Sequence, residues 1–217
     1  MSKLTSEEMS NPMSEPLTLY TNPMSRGRIA RWMLEEVGEP YDVNYLDYGA
    51  AMKSDAFLAI NPLGKVPTLQ HGDRVITEGA AICAYLADAF PAAGLAPPLN
   101  ARADYYRWMF FSAGPLEAGL INAALGVVVP DEKRSMAGYG EVATMLDMLE
   151  AVCARQPFLA GDDFTAADVS AGSQIGWGMQ FGTVEKRAAF EAYWARVSSR
   201  PAYARANALD DAAMKPS

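Results

Sequence analysis

Strand-like patterns are confined to the first 77 residues of this chain, and every later periodic segment has a helical pattern. Residues 17–20 and 41–45 are rich in β-prone side chains, which predicts two short strands. Between them, apolar side chains recur at helical spacing over residues 26–37, and Gly38 follows as a stop signal. A strand, a helix and a strand in this order predict two parallel neighbouring strands joined by a right-handed crossover.

The segments that follow complete a small mixed domain. A weak helix is predicted for residues 53–60, and residues 66–69 and 74–77 predict a β-hairpin whose turn is 71–73. A helix over residues 80–90 comes next. The resulting order, βαβ-α-ββα, is that of a thioredoxin-like α/β domain.

A domain boundary is predicted after this unit, because residues 91–99 contain three prolines and a glycine. Beyond it the periodic segments are helical, which predicts an all-α second domain. We therefore expect a flexible tail over residues 1–15, the thioredoxin-like domain over 16–90, a linker over 91–99 and the helical domain over 100–217.

Charge and cysteine content restrict the kinds of partner. The net charge of −8 argues against nucleic acid, although Arg26, Arg28 and Arg31 are candidates for a local basic patch. No apolar run is long enough to span a membrane, and the polar first residues lack a signal-peptide core. Cys83 and Cys153 lie in apolar segments and are interpreted as buried thiols of a reducing compartment, so a cytoplasmic protein is expected.

The segment Asn61-Pro62-Leu63-Gly64-Lys65-Val66-Pro67 is the most informative in the chain. A proline at the head of a strand in such a domain is often preceded by a cis peptide bond. The N–H and C=O of Val66 would then face outward and pair with an extended peptide, as an added strand does. The alternative is that both prolines only punctuate a loop.

A second motif, Thr77-Glu78-Gly79-Ala80, stands at the predicted start of a helix. Free N–H groups there attract a carboxylate, and the Glu78 side chain beside them can hold an ammonium group. An α-amino acid head carries both groups, and the γ-glutamyl end of glutathione is such a head. Glu78 taken alone can equally be a partner of the helix dipole.

Together, Val66-Pro67 and Glu78 resemble the glutathione-binding signature of cytosolic glutathione S-transferases, over residues 16 to about 205. The sequence departs from that signature at Gly79, where the family usually has serine, so glutathione binding is expected to be weaker or differently arranged. Thr165 and Asp168 resemble the family's capping box, a structural element of the helical domain.

The resemblance implies a hydroxyl group that stabilises the glutathione thiolate. Ser25, just before the first helix, stands where serine-type members place this hydroxyl, and the following Arg-Gly-Arg also favours a serine-type or bacterial-style member. Ser25 can also be a plain helix cap. Tyr20 and Asn22 are the rival candidates for the contact with sulfur.

Further assignments complete the expectation. Arg26 adds positive charge near sulfur, Lys65 is placed to reach the glycyl carboxylate, and Lys53 assists it. His71, the only histidine, is predicted in a turn and has no catalytic role, and no metal is expected. The candidates for an apolar second-substrate pocket between the domains are Tyr105, Trp108, Phe111, Trp177 and Met179.

The family resemblance therefore predicts a homodimeric glutathione S-transferase that conjugates glutathione, as co-substrate, to a small hydrophobic electrophile in detoxification. Two alternatives remain. One is a glutathione-dependent isomerase or dehalogenase that uses the same site. The other is a non-catalytic interaction module with this fold.

Overall fold

The computed structural model describes residues 15–214, which begin with a four-stranded sheet. Its strands are β1 (Leu17–Thr21), β2 (Asp42–Tyr45), β3 (Thr68–His71) and β4 (Arg74–Thr77), in the spatial order β2-β1-β3-β4. β1 runs parallel to β2 and antiparallel to β3, and β3 and β4 form the hairpin. The predicted parallel pair and hairpin are therefore confirmed.

Three helices belong to this sheet: α1 (Gly27–Val37), α2 (Asp55–Leu58) and α3 (Gly79–Ala89). Alternate side chains of β1 are buried, and Leu17, Leu19 and Leu69 share a core with α1 and α3. Tyr20 faces the opposite way, where its ring lies 5.6 Å from that of Phe57 in α2. The helices thus cover both faces of the sheet, as in a thioredoxin-like fold.

The rest of the described chain is helical, which confirms the predicted fold class. The helices are α4 (Ala103–Phe111), α5 (Glu117–Ala124), α6 (Val142–Arg155), α7 (Ala166–Phe181), α8 (Ala188–Ser198) and α9 (Pro201–Ala213). A π-helical turn, Ser112–Leu116, joins α4 directly to α5. α5 was not predicted as a separate helix, and α9 is longer than the short helix expected.

α7 is the central helix of this half, with twelve of its sixteen residues buried. A helix buried on all sides needs small residues, and a Cβ at Gly176 would lie 2.6 Å from the Trp194 ring. The predicted capping box is confirmed, because Thr165 caps the helix and Asp168 accepts the Thr165 N–H at 2.9 Å. Tyr193 also donates to Asp168, which ties α8 to the same cap.

Ion pairs fasten α9 to α1. Arg31 and Asp210, both almost fully buried, approach to 2.8 Å. Three further pairs join the two helices or their ends: Arg28–Asp211, Glu35–Arg205 and Glu36–Arg200. Arg26 pairs with Glu117 at 3.1 Å, so each arginine of the suggested basic patch has an acidic partner. Because these acidic partners offset the positive charges, the three arginines do not form the basic patch that a polyanion would need.

Two local predictions require correction. β3 begins at Thr68 rather than Val66, because the Val66–Pro67 segment precedes the ladder. His71 is the last residue of β3 and fully buried, where it bonds to the Tyr85 hydroxyl at 2.8 Å, so it does not lie in a turn. Between residues 15 and 214, no helix has both the length and the apolar character needed to cross a membrane.

The domain limits stay a prediction. The predicted tail over residues 1–15 lies outside the described residues except for Glu15, which pairs with Arg74. The predicted linker includes one short 3-10 turn, Pro91–Ala93, and a second, Leu99–Ala101, overlaps its end.

Candidate functional site

The loop between β1 and α1 is built around Asn22. The Asn22 side-chain amide donates to the Leu46 carbonyl at 2.8 Å and accepts the Met24 N–H at 2.9 Å. The main-chain carbonyl oxygen of Asn22 accepts the Ser25 N–H at 3.0 Å. These bonds close a compact turn and hold the Asn22 amide between Leu46 and Met24, so Asn22 shapes the loop. The residue is also only 7 % exposed, which limits its access to a bound sulfur.

Ser25 lies in this turn, half-buried, immediately before α1. Its hydroxyl donates to the Asn22 carbonyl at 2.7 Å and accepts the Gly27 N–H at 2.9 Å. The second bond satisfies a free N–H of the first turn of α1, whose N-cap residue, Arg26, makes no side-chain cap bond. The first bond uses the single hydroxyl proton, which must leave the carbonyl of Asn22 before it can serve a sulfur atom.

Tyr20 is directed away from the loop. Its hydroxyl donates to the Gln70 side chain at 3.2 Å, and Gln70 lies opposite Thr18 in the β1–β3 ladder. The phenol therefore points back along β1, toward the start of the strand. Of the three candidates for the contact with sulfur, Ser25 is the one whose hydroxyl lies at the start of α1.

The Val66–Pro67 peptide bond is cis, as the sequence suggested. Val66 is half-buried and none of the hydrogen bonds found among residues 15–214 uses its main chain. The preceding turn is well fixed, since Asn61 donates to the Lys65 carbonyl at 2.9 Å and Lys53 to the Leu63 carbonyl at 2.7 Å. The Lys53 ammonium thus holds the turn, whereas the Lys65 side chain is exposed.

Glu78 and Gly79 lie where β4 passes into α3. Glu78 is exposed and has φ 67° and ψ 120°, the only positive φ of a residue other than glycine between residues 15 and 214. Such a conformation costs about 1–3 kcal/mol and is retained mainly at functional positions. It places Glu78 beside the N-terminus of α3, which has no side-chain cap.

The two sequence motifs lie side by side, because Thr68 and Thr77, the residues between them and the hairpin turn, are partners in the β3–β4 ladder. A Cβ placed on Gly79 would lie 4.0 Å from Cγ of Pro67. The first turn of α3 therefore lies next to the Val66–Pro67 segment. An N-terminus with free N–H groups, a carboxylate and an unpaired strand edge can hold an amino-acid head joined to an extended peptide.

An ion pair made by Arg26 connects the Ser25 loop with the helical half of the chain. The exposed ion pair of Arg26 with Glu117 brings the first turn of α5 beside the Ser25 loop. Met24 and Tyr48 are exposed next to that loop, and the Tyr48 hydroxyl donates to the Met24 carbonyl at 3.3 Å. Sequence reasoning missed Tyr48 and Glu117, because only their approach in space connects them with Ser25. Met24 precedes Ser25 directly, but its exposure could not be read from the sequence.

The five residues predicted to line a second-substrate pocket differ in how deeply they are buried. Tyr105 and Trp108 are each only 1 % exposed, and Met179 is 8 % exposed. All three pack in the core, so the structure corrects their assignment to a pocket: the apolar face of α4 is turned toward α7. Phe111 and Trp177 are half-buried and remain candidates.

No group of three or more His, Cys, Asp or Glu side chains able to hold a metal ion is present within residues 15–214. The two cysteines, Cys83 and Cys153, are free and buried. Neither lies in the Ser25 loop.

Comparison with known proteins identifies relatives of both halves. A family model for the glutathione S-transferase N-terminal domain matches residues 15–88, and one for the C-terminal domain matches residues 107–201. Glutathione S-transferase 3 of Zea mays is 32 % identical over 204 residues, which cover 87 % of this chain and 91 % of the maize protein.

Solved structures agree with this. A glutathione S-transferase from Xylella fastidiosa superimposes with a TM-score of 0.76 at 27 % identity, over 90 % of this chain and 98 % of that one. A theta class glutathione S-transferase from Xanthomonas axonopodis pv. citri with glutathione bound gives a TM-score of 0.70 at 31 % identity, over 88 % and 97 % of the two chains.

Proposed function

The chain belongs to the glutathione S-transferase family, and from this premise we propose that it binds glutathione, stabilises its thiolate and transfers the sulfur to a small hydrophobic electrophile. The observation that carries the proposal is the side-by-side placement of the Val66–Pro67 and Glu78–Gly79 motifs at the end of the β3–β4 ladder. The bound glutathione in the Xanthomonas relative supports the choice of ligand.

Each part of glutathione has a candidate partner at this site. The glutamyl carboxylate meets the free N–H groups at the start of α3, and the glutamyl ammonium meets Glu78. The cysteinyl main chain pairs with the N–H and C=O of Val66. Lys65 is exposed beside that position and serves the glycyl carboxylate, while Lys53 fixes the turn that carries Lys65.

Ser25 supplies the hydrogen bond to sulfur in this scheme. When the ligand binds, the hydroxyl proton turns from the Asn22 carbonyl to the thiolate, and the Asn22 carbonyl keeps the Ser25 N–H. A donor to the charged form lowers the pKa of the thiol, and the positive end of α1 acts in the same direction. The thiol proton passes to solvent.

The electrophile is proposed to bind in the cleft between the Ser25 loop and the α4–α5 segment. Met24 and Tyr48 expose side-chain surface beside the Ser25 loop, and the Arg26–Glu117 pair borders it. Conjugation in this cleft is mostly a matter of proximity, because the thiolate is already a strong nucleophile. The corresponding physiological role is detoxification.

We also place the protein in the cytoplasm as a homodimer. Free buried cysteines fit a reducing compartment. On α4, Tyr106 is 45 % and Phe110 74 % exposed at i and i+4, which gives the helix an apolar outer strip suited to a second copy. Light scattering coupled to size exclusion would measure the mass directly, and a monomer at micromolar concentration would refute the dimer.

The function is tested by calorimetric titration of the full chain with glutathione, followed by conjugation to an aryl halide. Binding with turnover is the expected result. Binding without turnover on aryl halides, alkyl halides and epoxides would contradict the transferase and favour isomerase chemistry. An absence of binding at millimolar glutathione would refute the site and favour an interaction module.

A further inference from the structure

The side-chain hydroxyl of Thr21 is buried without a hydrogen-bond partner. Thr21 is the last residue of β1 and is 0 % exposed. Its main-chain carbonyl accepts the Leu46 N–H, but Oγ1 has no partner among residues 15–214. Buried hydroxyl groups are nearly always bonded, since an unpaired one costs about 1–3 kcal/mol.

The unpartnered hydroxyl lies against the turn that holds Ser25. A Cβ on Gly27 would be 1.9 Å from Thr21 Oγ1 and 3.0 Å from Ser25 Oγ. The two hydroxyl oxygens are therefore no further apart than the sum of these distances. The first distance also explains the glycine, because any larger residue at position 27 would displace Thr21.

A purely structural role does not explain a threonine here. Valine has the same shape and would fill the site without an unpaired oxygen, so it would be equal or better for stability. The unpaired oxygen points to a partner in another state of the loop. Ser25 Oγ lies in the adjoining turn, and its bonding changes in the proposed glutathione complex.

We propose that Thr21 is a positioning residue that donates to Ser25 Oγ in the glutathione-bound state; this rests on the proposed role of Ser25. When the Ser25 proton turns from the Asn22 carbonyl to sulfur, the Thr21 hydroxyl approaches Oγ from the buried side. Ser25 Oγ then accepts from both Gly27 N–H and Thr21 and donates to the thiolate. Successive hydrogen bonds polarise one another, so Ser25 becomes a stronger donor.

Charged groups near the turn do not replace this contact. Arg26 is paired with Glu117, and Arg28 donates to the Pro23 carbonyl while paired with Asp211. Neither ion pair involves the side chain at position 21, so both guanidinium groups act equally on every variant there.

The experiment is an ultraviolet titration of the thiolate in the saturated glutathione complex of the full chain. Thr21→Val is expected to raise the pKa of bound glutathione by about half a unit, equivalent to about three-fold less thiolate near neutrality. Thr21→Ser should restore the wild-type value. Thr18→Val, the same change on the other face of β1, should have no effect.

Two further readouts separate positioning from structure. Thr21→Val should bind S-methylglutathione with unchanged affinity and unfold in urea at the same or a higher midpoint. Thr21→Ala is a second variant without the hydroxyl in case valine does not fit. In a Ser25→Ala background, Thr21→Val should no longer change the pKa, because the path through Ser25 is gone.

Each contrary result has a distinct meaning. An unchanged pKa in both Thr21→Val and Thr21→Ala, with a raised pKa in Ser25→Ala, overturns this inference alone. A shift that persists in the Ser25→Ala background also overturns it, since Thr21 would then act by another path. If Ser25→Ala has no effect, the proposed role of Ser25 fails and the inference with it. Failure of the wild type to bind glutathione refutes the proposed function itself.

Discussion

The Ser25 hydroxyl donates to the main-chain carbonyl of Asn22 at 2.7 Å, and the same hydroxyl accepts the N–H of Gly27 in the first turn of α1. In the proposed glutathione complex this hydroxyl hydrogen would turn from the Asn22 carbonyl to the sulfur. The exchange of one acceptor for another costs little, because the carbonyl of Asn22 keeps its bond from the Ser25 N–H.

Replacement of Ser25 is expected to raise the pKa of bound glutathione. A hydrogen bond to a charged group contributes about 1.5–3 kcal/mol, so Ser25→Ala should lower kcat/KM at neutral pH about 10- to 100-fold. Loss of the hydrogen bond between Gly27 N–H and the Ser25 hydroxyl should also reduce the free energy of unfolding by about 1 kcal/mol. Steady-state kinetics and urea unfolding measure the two effects.

Tyr20→Phe is the matched control, because the Tyr20 phenol is bonded to Gln70 and directed away from the loop. Its kcat/KM should remain within about two-fold of the wild type. The assignment of the catalytic hydroxyl would pass to Tyr20 if this variant lost activity and Ser25→Ala retained it.

Gly79 is expected to limit the affinity for glutathione. A side chain fits at this position, since a Cβ would meet only Cγ of Pro67 at 4.0 Å. Gly79→Ser adds a hydroxyl donor for the glutamyl carboxylate and should tighten binding about ten-fold. Gly79→Ala fits equally well without the donor, so equal gains in calorimetry for both variants would show that the hydroxyl is irrelevant.

Replacement of Glu78 by glycine is expected to stabilise the fold but weaken glutathione binding. Its φ of 67° is strained for any residue with a Cβ, so Glu78→Gly should raise the free energy of unfolding by about 1 kcal/mol. Both Glu78→Gly and Glu78→Gln should weaken glutathione binding, because the partner of the glutamyl ammonium is lost. Glu78→Gln keeps the strain and should leave stability unchanged. Glutathione affinity equal to that of the wild type in Glu78→Gln would refute the placement of the ligand head.

Because both cysteine thiols are buried, we expect the free energy of unfolding to fall at alkaline pH. Burial raises the pKa of Cys83 to about 12 and that of Cys153 to about 12. Because the folded-state pKa values lie above the unfolded ones, their contribution is complete below about pH 9 and is lost as the pH rises toward 12. The slope is at most about 1.4 kcal/mol per pH unit for each thiol.

Urea unfolding at a series of pH values measures this slope. Cys83→Ala is the comparison, since it should be less stable at neutral pH but flatter above about pH 9. Native protein should also resist thiol reagents at neutral pH, and rapid labelling of either cysteine would contradict the assigned burial.

Much of the fold could be predicted because its signals are local. The apolar periodicity of α1, the Gly38 stop and the Thr165–Asp168 cap each lie within a few residues of sequence. The start of β3 was misplaced because a β-prone run does not show where the ladder begins. The burial of Tyr105 and Trp108 was not predictable from α4 alone. The sequence shows an apolar helix face, but not whether that face packs against another helix or against a ligand.

The site was predictable where a motif is contiguous and not where it depends on distant contacts. Val66–Pro67 and Glu78 were named from the sequence, and their side-by-side placement at the end of the β3–β4 ladder agrees with that reasoning. Thr21 gave no signal, because one threonine at the end of a strand is ordinary. The Arg31–Asp210 pair joins positions 179 residues apart, which no local pattern can reveal.

Arg28 joins the Ser25 turn to α9: its side chain donates to Pro23 within the turn and to Asn207 and Asp211 on the helix. Asn207 follows Arg28 by 179 residues. During synthesis the N-terminal half emerges first, so the Ser25 turn exists without this anchor until α9 has been made. A nascent chain can therefore form its sheet early, whereas the Ser25 turn is fully supported only later.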